Sequence, residues 1–307
     1  MEKLLVFGHK SPDTDSIASS IAMAFLQTKL GKAAVPYRLG NISKETQFAL
    51  DYFKVGAPDL LEKLDESSDV ILVDHNEPAQ SADGIEKSNV KMVVDHHRIS
   101  GFNTADPLYY YAEPVGCTST ILYKLFKAHS IEIPSYIAGL MVSAIISDTL
   151  LFKSPTCTTL DKVTAENLAK IAGIDLEKYG LALLKAGTDL SGFTAEELVN
   201  LDAKQVTLQD KVKAKISQVN TADIDEVMVR KAEIEAALIK EKDSLGLDLV
   251  FFLITDIINS NSQVITFGNN ELVEKSYSVK VENNTAFLPG VVSRKKQVIP
   301  VLTANVD

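Results

Sequence analysis

Histidine and aspartate residues follow three short apolar runs in this 307-residue chain. They are His9, Asp13 and Asp15 after Leu4–Phe7, Asp74 and His75 after Val70–Val73, and Asp95, His96 and His97 after Met92–Val94. Carboxylates gathered in one place repel one another unless cations neutralise them, and His and Asp ligands without cysteine suit Mn²⁺, Co²⁺, Zn²⁺ or Mg²⁺. Because three separate runs carry the same residue types, the pattern predicts a divalent-metal site.

The elements that must position these side chains are short strands alternating with helices. Besides the three runs, Val35–Leu39 is a predicted strand, and the predicted helices are Ile17–Phe25, Glu45–Phe53, Thr118–Lys127 and Ile137–Ile146. Parallel strands need crossover connections, so this alternation predicts an α/β domain with a mainly parallel sheet flanked by helices. Ligands of such sheets bind outside the carboxyl ends of the strands, where the His and Asp residues are expected to converge.

A second, smaller domain is predicted after the stretch Gly187–Gly192, which is rich in glycine and small polar residues. We therefore divide the chain into a metal-binding catalytic domain at 1–187, a hinge at 188–192 and a second domain at 193–307. The second domain has predicted helices at Ala195–Leu208 and Ile224–Lys242, and predicted strands at Leu249–Ile254, Gln263–Phe267 and Tyr277–Val281. This mixture predicts an α+β fold.

The composition is that of a globular protein able to bury a core, with 46% hydrophobic and 23% charged residues. A formal net charge of −10 argues against a broad nucleic-acid-binding face. Cys117 and Cys157 form no CxxC pattern and are interpreted as small structural thiols. No signal peptide is evident, and the most apolar segment, Ile137–Leu151, is interrupted by polar residues and too short to span a membrane. We expect a cytoplasmic protein.

Several familiar catalytic motifs are absent from the sequence. It contains no GxxxxGK[ST], GxGxxG or GxSxG pattern, so P-loop, dinucleotide-binding and serine-hydrolase functions have no support. Asp13-Thr-Asp15 does not fit a calcium-binding EF-hand loop either, since Ile17 stands where a further oxygen ligand is needed.

The same residues resemble a known family. The motifs His9-Lys-Ser-Pro-Asp13-Thr-Asp15-Ser16, Asp74 and Asp95-His96-His97 are similar to those of the DHH phosphoesterase superfamily. Ser293-Arg294-Lys295-Lys296-Gln297 narrows the resemblance to the family II, manganese-dependent inorganic pyrophosphatases, and it extends over essentially the whole chain.

The resemblance implies two Mn²⁺ or Co²⁺ ions per subunit. The implied metal ligands are His9, Asp13, Asp15, Asp74, His96 and Asp148, with Asp74 bridging the two ions. Asp95 and His75 are expected to orient other groups, since metal-bound imidazoles usually need an acceptor behind them. The fifth histidine, His129, follows a predicted helix and is expected to be solvated.

The resemblance also assigns substrate-binding and catalytic roles to His97, Lys204, Arg294 and Lys295, with Lys204 placed in a predicted helix. The implied reaction is hydrolysis of inorganic pyrophosphate to two phosphates by a water or hydroxide that bridges the two metals, with a further Mg²⁺ carried by the substrate. The metal ligands precede the hinge and the cationic groups, except His97, follow it, so the active site is expected in the interdomain cleft. A homodimer is also implied.

Two other functions remain as alternatives. A DHH-type phosphodiesterase or exonuclease acting on short oligonucleotides or cyclic dinucleotides is disfavoured because its usual glycine-rich GGGH-like motif is absent and the chain is acidic. A non-catalytic metal or phosphate sensor on the same scaffold is disfavoured because every expected ligand position is filled.

Overall fold

The computed structural model describes residues 3–306 and divides into two compact units, the first ending at Gly187 and the second beginning at Thr188. The first unit is built on a parallel sheet with helices, and the second on a mixed sheet with helices. The predicted α/β domain and smaller α+β domain are therefore confirmed. No helix among residues 3–306 is long and apolar enough to cross a membrane.

The first unit contains six strands and six helices among its described residues. They are β1 (Leu4–Phe7), α1 (Thr14–Lys29), β2 (Ala34–Arg38), α2 (Lys44–Tyr52), β3 (Asp59–Leu60), β4 (Asp69–Val73), β5 (Asn89–Asp95), β6 (Tyr109–Ala112), α3 (Thr118–Ala128), α4 (Ser135–Thr149), α5 (Thr159–Ala172) and α6 (Leu176–Gly187). Short 3₁₀ turns at Pro78–Gln80 and Ile85–Lys87 separate β4 from β5.

The strand order of the first sheet, β3-β2-β1-β4-β5-β6, reverses direction between β1 and β4. All its neighbouring strands are parallel, including β1 with β2 on one side and β4 on the other. The connections that leave β1 and β4 therefore run to opposite sides, which opens a crevice at their carboxyl ends. His9 follows β1 and Asp74 follows β4, so the predicted metal residues lie at this crevice.

Helix α4 is strongly apolar and lies inside the first unit. Its residues Ile137–Ile146 are all buried, and α1 and α5 are its main neighbours. A helix packed on all sides needs no polar face. Asp148 is carried at the end of this buried helix, one residue before its last residue, Thr149.

Within its described part, residues 188–306, the second unit has five strands in the order β11-β10-β9-β8-β7. Its elements are α7 (Ala195–Leu198), β7 (Lys204–Leu208), β8 (Val212–Thr221), α8 (Ile224–Met228), α9 (Lys231–Leu245), β9 (Leu249–Asp256), β10 (Asn261–Gly268), α10 (Asn270–Tyr277), β11 (Thr285–Pro289), a π-helical turn (Arg294–Val298) and α11 (Ile299–Ala304). Only β8 and β9 are parallel; the other pairs are antiparallel. The central strand β9 is buried along its whole length.

Three predictions for this unit were wrong. Lys204 is not in a helix: α7 ends at Leu198, and Lys204 is the first residue of β7. The segment predicted as a strand at Tyr277–Val281 begins at the end of helix α10, and the strand lies later, at β11. The single helix predicted at Ile224–Lys242 is two helices, α8 and α9.

Candidate metal centre

The loop between β1 and α1 brings His9 and Asp13 together. Asp13 is the N-cap of α1, and its Oδ1 accepts a hydrogen bond from the Ser16 backbone N–H at 2.9 Å. Its other oxygen, Oδ2, lies 3.6 Å from His9 Nε2. Gly8 allows this tight loop, since a Cβ atom there would lie 1.9 Å from Ser16 Oγ. Asp13 therefore caps a helix with one oxygen and faces His9 with the other.

Asp74 directly follows strand β4, and the chain turns sharply there into the crevice. Its φ of 59° lies in the left-handed region, which aspartate adopts more readily than most residues. Its backbone N–H continues the sheet by donating to the carbonyl of Val94 at 2.9 Å. The side chain of Asp74 is 1% exposed. A buried carboxylate at this position must find compensating positive groups or donors.

Asp15 is fixed by the N-terminus of helix α3. Its Oδ2 accepts from the Thr118 N–H at 2.7 Å, and its Oδ1 accepts from the Ser119 N–H at 3.2 Å. The hydroxyls of Ser19 and Ser119 also donate to Oδ1, at 2.8 and 2.9 Å. Unpaired backbone N–H groups at a helix start favour a negative charge. Thr118 and Ser119 are not among the sequence-predicted site residues, although hydroxyl residues at the start of a predicted helix are a known capping signal.

The six sequence-predicted metal residues form two groups of donor atoms that share Asp74. One group contains His9, Asp13 and Asp74, and the other contains Asp15, Asp74, His96 and Asp148; within each group the donor atoms lie within 4.8 Å of one another. Asp74 Oδ2 is 3.4 Å from His9 Nε2, whereas Asp74 Oδ1 is 3.4 Å from His96 Nε2. Each oxygen of this carboxylate thus faces a different group.

The donor set fits two divalent cations. Asp74 Oδ2 is buried and makes no hydrogen bond to the described residues, which leaves a lone pair uncompensated in a protein interior. Imidazole and carboxylate donors are the types that Mn²⁺ and related ions accept. His96 Nδ1 donates to the carbonyl of Val115 at 3.0 Å, which leaves Nε2 unprotonated in the neutral ring and able to bind a metal.

Without a bound metal, the electrostatics of the cluster favour protonated imidazoles over neutral ones. Burial alone would lower the pKa of His9, but the Asp13 and Asp74 carboxylates outweigh it and raise the pKa to about 11. The pKa of His96 is likewise raised, to about 9, mainly by Asp74 and Asp15 acting against burial. Burial would raise the pKa of Asp74, but the two imidazoles reverse this effect and lower it. Without metal, protons on the His9 and His96 rings therefore supply the positive charge that bound cations would otherwise provide.

Two further aspartates are harder to ionise. Burial, followed by the Asp74 charge, raises the pKa of Asp15 to about 6. Burial and the charges of Asp15 and Asp74 raise the pKa of Asp148 well above its usual value. The side chain of Asp148 is 14% exposed, and its Oδ2 lies 3.8 Å from His96 Nε2. A bound cation would relieve the repulsion between these crowded carboxylates.

His97 is held beside the two groups by Asp95. Asp95 is fully buried, and its Oδ1 accepts from His97 Nδ1 at 2.9 Å and from the His97 N–H at 3.1 Å. The hydrogen bond to Asp95 raises the pKa of His97, whose side chain is 51% exposed. Asp95 Oδ2 accepts from Asn76 Nδ2 at 2.6 Å, which fixes the carboxylate in turn. Asp95 therefore orients His97.

The remaining histidines lie outside the two donor groups. His75 is buried, and its ring nitrogens contact the carbonyl of Val73 at 2.9 Å and Ser81 Oγ at 3.2 Å. His129 is exposed at the end of α3. Cys117 is buried and Cys157 half-buried, and both are free thiols.

In the second unit, Arg294 is joined to the segment that leads into β7. Arg294 Nη2 lies 2.6 Å from Asp202 Oδ1, two residues before Lys204. Its Nε and Nη1 atoms are buried and make no hydrogen bond to the described residues. Lys204 and Lys295 are exposed. Ser293 is the N-cap of the π-helical turn that carries Arg294 and Lys295, and its Oγ accepts from the Lys296 N–H at 3.2 Å.

Comparison with known proteins gives full-length matches. A model of the DHH family N-terminal domain matches residues 3–145, and a DHHA2 domain model matches residues 181–305. The manganese-dependent inorganic pyrophosphatase of Bacillus subtilis (strain 168) is 57% identical over 305 residues, which cover 99% of this chain and 98% of that protein. The Bacillus cereus (strain AH187) protein named "Probable manganese-dependent inorganic pyrophosphatase" is 56% identical over the same coverage.

Solved structures agree with these matches. The crystal structure of a Methanococcus jannaschii protein described as a "putative family II inorganic pyrophosphatase" is 43% identical, with a TM-score of 0.62, and the match covers 98% of this chain and 99% of that one. An exopolyphosphatase-related protein from Bacteroides fragilis, 14% identical with a TM-score of 0.51 over 99% of this chain and 91% of its own, shares the fold. Given full-length relatives at this identity and matches to both domain models, this chain belongs to the family of manganese-dependent inorganic pyrophosphatases.

Proposed function

We propose that this protein hydrolyses inorganic pyrophosphate to two phosphates at a site that holds two Mn²⁺ ions. The observation that carries the proposal is the shared carboxylate of Asp74, whose two buried oxygens face two different groups of His and Asp donors. The names of full-length relatives support both the substrate and the metal.

His9, Asp13 and Asp74 would hold one ion, and Asp15, Asp74, His96 and Asp148 the other. When bound, two divalent ions supply Lewis acidity toward the phosphate oxygens and toward a nucleophilic water. The four aspartates carry about four negative charges when ionised, which roughly balance two divalent cations. The protein must therefore provide further positive groups for the substrate, which adds its own negative charge.

His97 has a ring nitrogen available to bind the substrate. Its Nδ1 is committed to Asp95, so Nε2 is the ring nitrogen available to a phosphate oxygen. The hydrogen bond to Asp95 raises the pKa of His97 and favours the protonated ring. We propose that His97 donates a hydrogen bond to the substrate and stabilises charge on the departing phosphate.

Lys204, Arg294 and Lys295 would supply the remaining positive charge. Arginine makes planar, bidentate contacts with phosphate, and lysine provides a compact point charge. The buried, unpaired Nε and Nη1 donors of Arg294 support this assignment, because such donors call for an anionic acceptor. We further propose that residues 188–192, which lie between α6 and α7, act as a hinge that closes the two units over the substrate. A homodimer is also part of the proposal.

The test is phosphate release after chelation, with Mn²⁺, Co²⁺, Zn²⁺ or Mg²⁺ restored one at a time. We expect pyrophosphate hydrolysis to return with Mn²⁺ or Co²⁺. A short oligonucleotide and a cyclic dinucleotide serve as competing substrates in parallel. Faster hydrolysis of either nucleotide than of pyrophosphate would refute the proposed function in favour of a phosphodiesterase.

A further inference from the structure

We propose that Asp161, a residue outside both donor groups, positions His96 for metal binding through the peptide group between Val115 and Gly116. The inference rests on the metal site proposed above. Asp161 makes no hydrogen bond or ion pair to any of the six proposed metal residues, so its role would be to position a ligand.

Asp161 is fully buried in the first turn of α5 and is held by four hydrogen bonds. Its Oδ2 accepts from the Gly116 N–H at 2.8 Å, and from the backbone N–H and the hydroxyl of Thr158, both at 2.7 Å. Its Oδ1 accepts from the Thr120 hydroxyl at 2.6 Å. A carboxylate is costly to bury unless its oxygens are satisfied in this way. These bonds leave Asp161 little freedom to move.

One of these bonds continues to His96. The Gly116 N–H and the Val115 carbonyl belong to the same planar peptide group, so restraining one restrains the other. The Val115 carbonyl accepts from His96 Nδ1 at 3.0 Å. A carbonyl only accepts, so the proton is on Nδ1 and Nε2 of the neutral ring is available to the metal. Metal-bound histidines usually have such an acceptor behind them, and here a buried carboxylate fixes that acceptor.

The packing around Gly116 supports the same conclusion. A Cβ atom at this position would lie 2.8 Å from Thr149 Cγ2 and 2.9 Å from Asp161 Oδ2. The chain therefore passes between the end of α4 and Asp161 with no room for a side chain. Immediately beyond it, Thr118 donates to Asp15 and Asp74. A shift of this segment would disturb the surroundings of three proposed ligands.

The test measures Mn²⁺ affinity from the EPR signal of free Mn²⁺, on chelated full-length protein titrated with the metal. Asp161→Ala is expected to raise the Mn²⁺ dissociation constant about 10- to 100-fold, the usual effect of losing a group that orients a metal ligand. Asp161→Asn keeps an oxygen for the Gly116 N–H, so we expect it to restore the dissociation constant to within about 3-fold of the wild type. An Asn variant that restores no affinity would overturn the proposal.

Thr158→Ala is the matched control. It removes the hydroxyl that caps α5 and donates to Asp161 but leaves the Gly116 bond in place. We expect a lower melting temperature with wild-type Mn²⁺ affinity. The proposal fails if Asp161→Ala binds Mn²⁺ as tightly as the wild type does. It also fails if Thr158→Ala, with a loss of melting temperature similar to that of Asp161→Ala, weakens Mn²⁺ binding as much as Asp161→Ala does.

If Asp161→Ala does not fold, Gly116→Ala displaces the same peptide directly. Weaker Mn²⁺ binding is expected, and wild-type binding would overturn the proposal. Failure of the proposed function can be distinguished from failure of this inference. The former would appear as absent phosphate release from the wild-type protein, whereas the latter depends only on the Mn²⁺ affinities of the variants.

Discussion

At the proposed metal centre, metal ions would have to compete with protons for the same imidazole nitrogens. In the metal-free cluster the pKa of His9 is about 11 and that of His96 about 9, so both rings are protonated at neutral pH. A metal binds only the neutral ring, so each ion must displace a proton from its histidine. The pKa of Asp15 is about 6, so at a pH below this value its carboxyl carries a further proton that the metal must displace.

We therefore predict that Mn²⁺ affinity rises with pH between pH 6 and pH 8. The rise occurs below the pKa values of both histidines, where raising the pH lowers the cost of removing their protons. The apparent affinity of each ion is expected to increase on the order of 10-fold per pH unit. Titrations followed by the EPR signal of free Mn²⁺ at pH 6, 7 and 8 measure this slope. An affinity that does not change over this range would contradict the proton competition.

The sequence identified the candidate metal residues, which the structure brings together, but not the groups that hold them in place. Short apolar runs leading into His and Asp identify the carboxyl ends of strands, because parallel strands share one edge. Thr118, Ser119 and Asp161 escaped notice because their roles depend on bonds between residues about 40 to 100 positions apart. Such pairings arise from the packing of α1, α3 and α5, which periodicity along the chain does not encode.

At the scale of elements, the π-helical turn Arg294–Val298 presents three consecutive cationic residues, of which Lys295 has a proposed substrate role and Lys296 does not. We predict that Lys295→Ala lowers turnover roughly 100-fold, a usual cost of removing one group that stabilises transition-state charge. Bound Mn²⁺ should stay near the wild-type level, because Lys295 is not among the proposed ligands.

Lys296→Ala is the control for Lys295→Ala, since it removes the same charge from the same turn. Phosphate release and elemental analysis of both variants are the measurements. Equal losses of turnover in the two variants would indicate a general charge effect and contradict a specific role for Lys295.

An ion pair between Lys215 and Glu241 joins β8 to α9. Lys215 is buried, and its ammonium lies 2.6 Å from Glu241 Oε2 and 2.6 Å from Asn200 Oδ1. The hydrogen bond from Lys215 lowers the pKa of Glu241. A lowered folded-state pKa gives stability that is present above the unfolded pKa of about 4.3 and lost as the pH falls through the folded-state value.

We predict that Glu241→Gln lowers the free energy of unfolding by about 1–2 kcal/mol at pH 7, and that the difference from wild type shrinks below pH 4. Unfolding curves at pH 7 and pH 3.5 provide the measurement. Glu233→Gln, on the same helix but with a side chain that is 65% exposed, should have little effect at either pH. A Glu241→Gln difference that is the same at both pH values would contradict the assignment.

Two of the three wrong element predictions fell where the apolar pattern was short. Lys204–Leu208 has only two apolar residues in alternation, Val206 and Leu208, and it is an edge strand that exists because β8 pairs with it. Strand β8 itself alternates Val212, Ala214 and Ile216 with lysines, a strand signal that is missing from the sequence-based predictions. Tyr277, Val279 and Val281 alternate too, but all three pack against the second unit's core without forming a strand.

At the scale of the whole molecule, the proposed metal residues lie in the first unit, whereas the proposed cationic residues, except His97, lie in the second. We predict that a non-hydrolysable pyrophosphate analogue, imidodiphosphate, added with Mn²⁺ makes the molecule more compact, because the cations of the second unit must reach the bound phosphates. Small-angle X-ray scattering measures the radius of gyration with and without the analogue. An unchanged radius in a sample shown to bind the analogue would contradict hinge closure.

The central claim is that one carboxylate, that of Asp74, joins two metal ions in this chain. Elemental analysis combined with EPR of the Mn²⁺-loaded protein tests it most directly, because two ions that share a carboxylate are magnetically coupled. We predict two Mn²⁺ per chain with a coupled signal, and loss of the coupling together with most phosphate release in Asp74→Asn. A single Mn²⁺ per chain, or two uncoupled ions in the active wild-type protein, would contradict the account.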